Sequence, residues 1–234
     1  MGLYESLRLA VSGYTVRDTF TRTQSGGWGP SDTGDVWTCE GGSSSHYSTN
    51  GSAGLHSAPD DAVTKRSLMA GPMLDLDARY DVSIPVVSTG DSAQSGFICR
   101  EDGSNLNFYI FRVLFLTSGL LELRITKRID GVETVNVINP VGTQGSYTAG
   151  TVCHVRCQAQ GPSFKMKIWT GADPEPDWQA EGTDYDITTA GRFGFRSSLG
   201  SVFGAWAGPD PMVFTYDNVT VVDNGWTVFS PDGG

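Results

Sequence analysis

The chain has 234 residues, 26 acidic against 16 basic side chains and a formal net charge of −10. That acidity, with the basic residues scattered along the sequence, excludes a phosphate-backbone binder, because polyanion affinity rests on clustered Lys and Arg. Thirty glycines and eleven prolines, with no long stretch rich in Ala, Leu, Glu and Lys, exclude a helical bundle and indicate many turns between short strands.

In chain order, residues 1–14 form an arm with Leu3, Leu7 and Leu9 ahead of the first strand. Glu5 and Arg8 interrupt what a secretory signal would need as an apolar core, so export through a translocation pathway is not expected. Nothing approaches about eighteen consecutive apolar residues, so membrane insertion is not expected either. Strands are then predicted at YTVRDTFTR, RSLMA, ARYDVSIPVV, SGFICRED and NFYIFRVLF. LELRITKRI places Leu121, Leu123, Ile125 and Lys127 on one face, and DGVE, residues 130–133, turns it into TVNVI as a hairpin. In TVCHVRCQAQ, the residues Cys153, Val155, Cys157 and Ala159 alternate with His154, Arg156, Gln158 and Gln160.

Cysteine in that setting reads as a small buried hydrophobe. Cys39, Cys99, Cys153 and Cys157 allow two disulfides or none, and no second close Cys or His pair supplies zinc spacing. FKMKIW points Phe164, Met166 and Ile168 inward and Lys165, Lys167 and Trp169 outward. RFGFRS and MVFTYDNVTVVD complete the set of strands. The pattern predicts an all-β, two-sheet antiparallel jelly-roll sandwich over residues 15–222, followed by a second arm, residues 223–234, that carries Trp226 and Phe229. Each arm either folds back on its own domain or docks on another subunit.

Several stretches together carry a likeness: VRDTFTRTQSGGWGPSDTGDVWT, NFYIFRVLF, FKMKIWTGADPEPDWQAEGTD, AGRFGFRSSL and FTYDNVTV. The chain resembles the concanavalin A-like (LamG-like) jelly-roll domains of actinobacteria and their phages. Those domains open with an Asp-x-Phe-x-Arg strand and a Gly-Trp-Gly loop, carry a Pro-x-x-Trp turn after a Lys-x-Trp strand, and close on an Asp-Asn strand. The resemblance implies that Trp28 and Trp37 close the sandwich and that Trp178 plugs it. The alternative for these rings is stacking on a sugar face. It also implies a structural Ca²⁺ on Asp18, Asp217 and Asn218, where the first and last strands pair; those side chains could equally serve turns.

Glucanases of this fold carry a Glu-x-Asp-x-x-Glu or Glu-x-Asp-x-Glu strand, whose two carboxylates act on one glycosidic bond. No such strand occurs here, and there is no Gly-x-Ser-x-Gly elbow, so no enzyme is expected. A binding site, if there is one, is expected on the outward face with Trp169, Lys165, Lys167, His154 and Arg156, or on the loop with His46, Tyr47 and Asn50. A jelly roll with no export signal suggests a tailed-phage virion protein, assembled in the host cytoplasm alongside other virion proteins. Within that class a minor tail or tail-tip protein contacting host-surface glycan is expected; a capsid decoration protein clamping capsomers is the alternative, and a bacterial carbohydrate-binding module a further one. A homo-oligomer is expected, a trimer being compatible with either virion role, although no heptad seam specifies it.

Overall fold

The computed structural model describes residues 13–60, 62–138, 142–200 and 205–225. Its strands, in chain order, are β1 (Thr15–Asp18), β2 (Thr23–Ser25), β3 (Trp37–Glu40), β4 (Tyr47–Asn50), β5 (Gly54–Ala58), β6 (Lys65–Met73), β7 (Leu76–Ser83), β8 (Ala93–Glu101) and β9 (Phe108–Phe115). They continue with β10 (Leu120–Ile129), β11 (Val132–Ile138), β12 (Thr143–Ser146), β13 (Cys153–Gln160), β14 (Ser163–Thr170), β15 (Ala180–Thr183), β16 (Gly191–Leu199) and β17 (Met212–Asp223).

These strands make two antiparallel sheets, as the alternation predicts. The nine-stranded sheet runs β15-β14-β13-β7-β17-β5-β4-β2, with β1 also paired to β17. The eight-stranded sheet runs β11-β10-β9-β8-β16-β6-β3, with β12 paired to β10. Sequence neighbours are split between sheets, for example β6 in one and β7 in the other, which is how a jelly roll covers one sheet with the other.

Each inner face is set by the period of two. Leu121, Leu123 and Ile125 of β10 are buried with Phe164, Met166 and Ile168 of β14, and Phe97 and Phe195 meet Tyr80 and Tyr216 across the sheets. Cys153 and Cys157 lie in this core, and all four cysteines are free thiols. Lys127, expected on the inner face, instead reaches the rim to pair with Asp184 and Asp186, because an ammonium cannot be left dry without a partner.

The Asp-x-Phe-x-Arg motif explains the glycine-rich loop after β1. Asp18 is fully buried and its carboxylate accepts a bidentate pair from Arg22, at 2.7 and 2.8 Å, and the Trp37 indole N–H at 2.7 Å. Arg22 also donates through Nε to the Trp28 carbonyl at 2.6 Å. Trp28 is buried edge-on to Phe20 and Trp37, stacks on His56 with ring centroids 4.6 Å apart, and donates Nε1–H to the Leu55 carbonyl. Gly54 lets this packing close: a Cβ there would lie 2.6 Å from the Phe20 ring. The loop is a clasp across the end of the sandwich, and both tryptophan rings are inside it. Leu3, Leu7, Leu9, Trp226 and Phe229, the residues of the two expected arms, lie outside the described residues.

Candidate functional site

The outer face of the nine-stranded sheet holds Trp169, Lys165, Lys167, His154 and Arg156, five of the residues expected to bind a ligand, and the structure pairs the cationic ones with carboxylates. The loop at residues 171–179 folds back over β13 and β14. Its Glu175 accepts from Lys167 at 2.7 Å, Arg79 at 2.9 Å and Arg156 at 3.0 Å, while the Trp178 ring covers Lys167 and Arg156 at 4.6 and 5.1 Å. Arg156 also forks onto Asp77, and Lys165 pairs with Glu181. Burial opposes ionisation of Glu175, but the bonds from Lys167 and Arg156 and the charge of Arg79 outweigh it and hold its carboxyl at about 2.

Three expectations are corrected here. Lys167 is buried under Trp178, whereas the sequence pattern placed it in solvent. Tyr47 is buried, with its hydroxyl donating to the Glu40 and Gly41 carbonyls, and is not on a rim. Asp18 spends its carboxylate on Arg22 and Trp37, so a cation does not fit there. Trp169 and His154 remain half-exposed beside each other, His154 donating Nδ1–H to the Asp81 carboxylate at 2.6 Å. Asp217 lies across the strand pair from Asp81, and Asn218 donates to Asp81 at 2.8 Å.

The opposite face is different. Reading across the eight-stranded sheet, the directly paired positions are Arg124 on β10, Arg112 on β9, Gly96 on β8, Arg196 on β16, Arg66 on β6 and Glu40 on β3. Their chain neighbours Phe111, Val113, Leu123, Ile125, Phe195 and Ser197 point into the sandwich, so the arginines share the outer face. Like charges opposite one another destabilise a sheet, yet four arginines stand in one row. A second row beside it, Leu68, Ile98 and Ile110, forms a small apolar floor with Phe108, which the Arg128 guanidinium covers.

Acidic side chains hold the arginines in place without matching them one for one. Glu40 pairs with Arg66 at 2.8 Å and Arg192 at 2.7 Å, Glu101 with Arg192, and Glu122 with Arg124. Glu133, reaching over from the β10–β11 hairpin, bridges Arg112 and Arg196, one carboxylate oxygen to each. Gln94 accepts from Arg112 at 2.9 Å, and the Arg112 Nε–H is buried with no partner among the described residues. Burial, with Arg196 alongside, pushes Arg112 down to about 10. Glu133 is also penalised by burial, but Arg196 and Arg112 prevail and keep its carboxyl below the usual range.

Between these groups and the rim lies a cavity of about 340 Å³, bounded by Pro59, Ala62, Val63, Thr64, Gln94, Arg112, Glu133, Arg196, Ser198, Leu199 and Gly200. Gly96, between Arg112 and Arg196, makes room for the Ile110 side chain: a Cβ there would lie 2.7 Å from Ile110. The site can bind an anion or a polyhydroxylated ligand, since guanidinium forks, a primary amide and hydroxyls converge on it. Sequence reading missed it. The signal is present in FRV, LRI and FRS, each with an outward arginine between two inward residues, but nothing local says that these strands are neighbours.

No protein-family model matches the sequence, and no curated protein matches it either. Solved structures match in shape. A carbohydrate-binding module, CBM66, from Bacillus subtilis aligns with TM-score 0.54 and 17% identity over 79% of this chain and 94% of its own. The Bacillus licheniformis β-glucanase gives 0.59 and 12% over 91% and 99%. The PL-14 alginate lyase from Aplysia kurodai gives 0.59 and 10% over 89% and 97%.

The fold is a concanavalin A-like jelly roll. At these identities the likeness establishes the architecture of the sandwich alone. It does overturn one expectation. The missing Glu-x-Asp-x-x-Glu strand predicts no enzyme, but a glucanase and an alginate lyase share this jelly roll along nearly their whole length. The missing strand therefore argues against one glucanase arrangement and does not exclude enzymes built on the jelly roll.

Proposed function

We propose that the protein is a glycan-binding jelly roll that takes its ligand on the outer face of the eight-stranded sheet, in the cavity between Arg112 and Arg196. The observation that carries this reading is the convergence of partly unspent guanidinium donors, Gln94 and Ser198 on one open cavity. The outer face of the other sheet is ion-paired and roofed by Trp178, which makes it the weaker candidate. That similarly folded proteins include a carbohydrate-binding module, a β-glucanase and an alginate lyase supports a sugar as the ligand class.

Affinity electrophoresis in gels cast with a panel of soluble polysaccharides tests this. The wild-type chain is expected to be retarded by at least one polysaccharide, and Ser198→Trp, which fills the cavity, is expected to abolish the retardation with an unchanged melting temperature. Retardation by none of them, or retention in Ser198→Trp, overturns the reading. Reducing ends released during the same incubation would report turnover.

Display of this module on a tailed-phage particle is the finer part of the proposal, supported by the resemblance of the Trp28–Trp37 clasp and the closing strand to such domains. In a cryo-EM map of the particle, density at the tail tip is the expected outcome; density at regular capsid lattice points would make the protein a decoration protein and remove host glycan as its partner.

A further inference from the structure

The Arg112–Arg196 cavity has a charge and donor pattern that selects among sugars. Of the described charged groups lining it, Arg112 and Arg196 are cationic and Glu133 is anionic, an excess of one positive charge on the lining in a chain whose net charge is −10. The donors are also incompletely used. Arg112 gives its two terminal nitrogens to Gln94 and Glu133 and keeps a buried Nε–H unpartnered, and among the described residues Arg196 spends one terminal nitrogen on Glu133. A guanidinium carries five N–H donors, so the fork of Arg196 has capacity left.

Glu133 shows which species the site accommodates. A single carboxylate spans both guanidiniums, one oxygen to each, so their spacing matches a planar carboxylate. Among the described residues the lining has no aromatic ring on which a sugar face could stack, so recognition there falls to its charged and polar groups. Gln94, Thr64 and Ser198 supply acceptors and donors suited to hydroxyls around a charged centre.

We propose that the ligand is a carboxylated glycan, a uronate-containing chain, one of whose carboxylates docks on the open edge of Arg196, beside Arg112, while Gln94 and Ser198 bind the neighbouring hydroxyls. This rests on the glycan-binding reading above.

The test is calorimetric titration of the full chain with an alginate trisaccharide, a neutral β-glucan oligosaccharide of similar length, and sodium phosphate. The trisaccharide is expected to bind, the neutral oligosaccharide to bind at least tenfold more weakly, and phosphate not to compete at equal concentration. Arg196→Ala is expected to weaken uronate binding at least tenfold and Arg196→Lys to restore part of it, with Arg79→Ala on the opposite sheet as the unaffected control. Neutral glucan binding as tightly as uronate, competition by phosphate on equal terms, or an unaffected Arg196→Ala overturns the inference and leaves the glycan reading standing. Binding of no sugar of either kind overturns both.

Discussion

His56 is the residue on which the interior most depends on pH. Its ring bonds to Ser197 through Nδ1 at 2.9 Å and to Ser67 through Nε2 at 2.8 Å, and those hydroxyls continue to Tyr216 and Cys39. Burial, with Lys65 nearby, pushes its pKa down to about 3. A folded value below the unfolded one, about 6.5, means that the unfolded chain binds the proton more readily. The contribution of neutral His56 is therefore complete above about pH 6.5 and is lost as pH falls toward 3, by up to about 1.4 kcal/mol per pH unit. The melting temperature is expected to drop between pH 6.5 and 5, above the range where ion-paired carboxylates protonate, and His56→Gln to flatten that segment. An equally steep segment in His56→Gln would place the proton uptake elsewhere. Trp28, packed against this ring, answers the residue-level question posed by the glycine-rich loop. Its removal as Trp28→Ala is expected to cost roughly 3–5 kcal/mol in a denaturant titration, the range for a large buried ring. Sequence showed two aromatics among glycines; their enclosure depends on Asp18, whose buried carboxylate ties Arg22 and Trp37 together.

At the scale of elements, the loop at residues 171–179 and the β10–β11 hairpin do comparable work on opposite sheets. Each carries one glutamate over a sheet face, Glu175 onto Lys167, Arg79 and Arg156, and Glu133 onto Arg112 and Arg196. The first loop adds Trp178 and closes its face; the hairpin leaves a cavity beside it. Trp178→Ala is accordingly expected to lower the melting temperature by a few degrees through the uncovered cations, and to leave glycan retardation unchanged. Loss of retardation would return the site to the β13–β14 face. The long strands were legible because six to ten residues give alternation enough turns to show, as in β10, β13 and β14. β2, β4 and β15 were not, since three or four mostly polar residues at a sheet margin carry no period and exist through pairing with β4, β5 and β14.

Across the whole molecule, a net charge of −10 surrounds a local row of four arginines. The overall field repels an acidic glycan at distances that salt screens, about 30 Å at 10 mM and about 8 Å at 150 mM, whereas contacts to Arg196 act at a few ångströms. Stopped-flow association of a uronate oligosaccharide is expected to quicken between these salt concentrations as the dissociation rate also rises; an association rate that falls with salt would mean that the arginine row, and not the net charge, governs encounter. The sequence by itself determined the fold class, the apolar inward sets of β10, β13 and β14 and the burial of Cys153 and Cys157, because the period-two alternation of side chains is a local property of the backbone. Only the tertiary structure decided that Arg124, Arg112, Arg196 and Arg66 form one row and that Lys167 and Arg156 are spent on Glu175. Strand adjacency and register arise from pairing among residues far apart in the chain, so an outward position carries no information about what stands beside it until the sheets are formed.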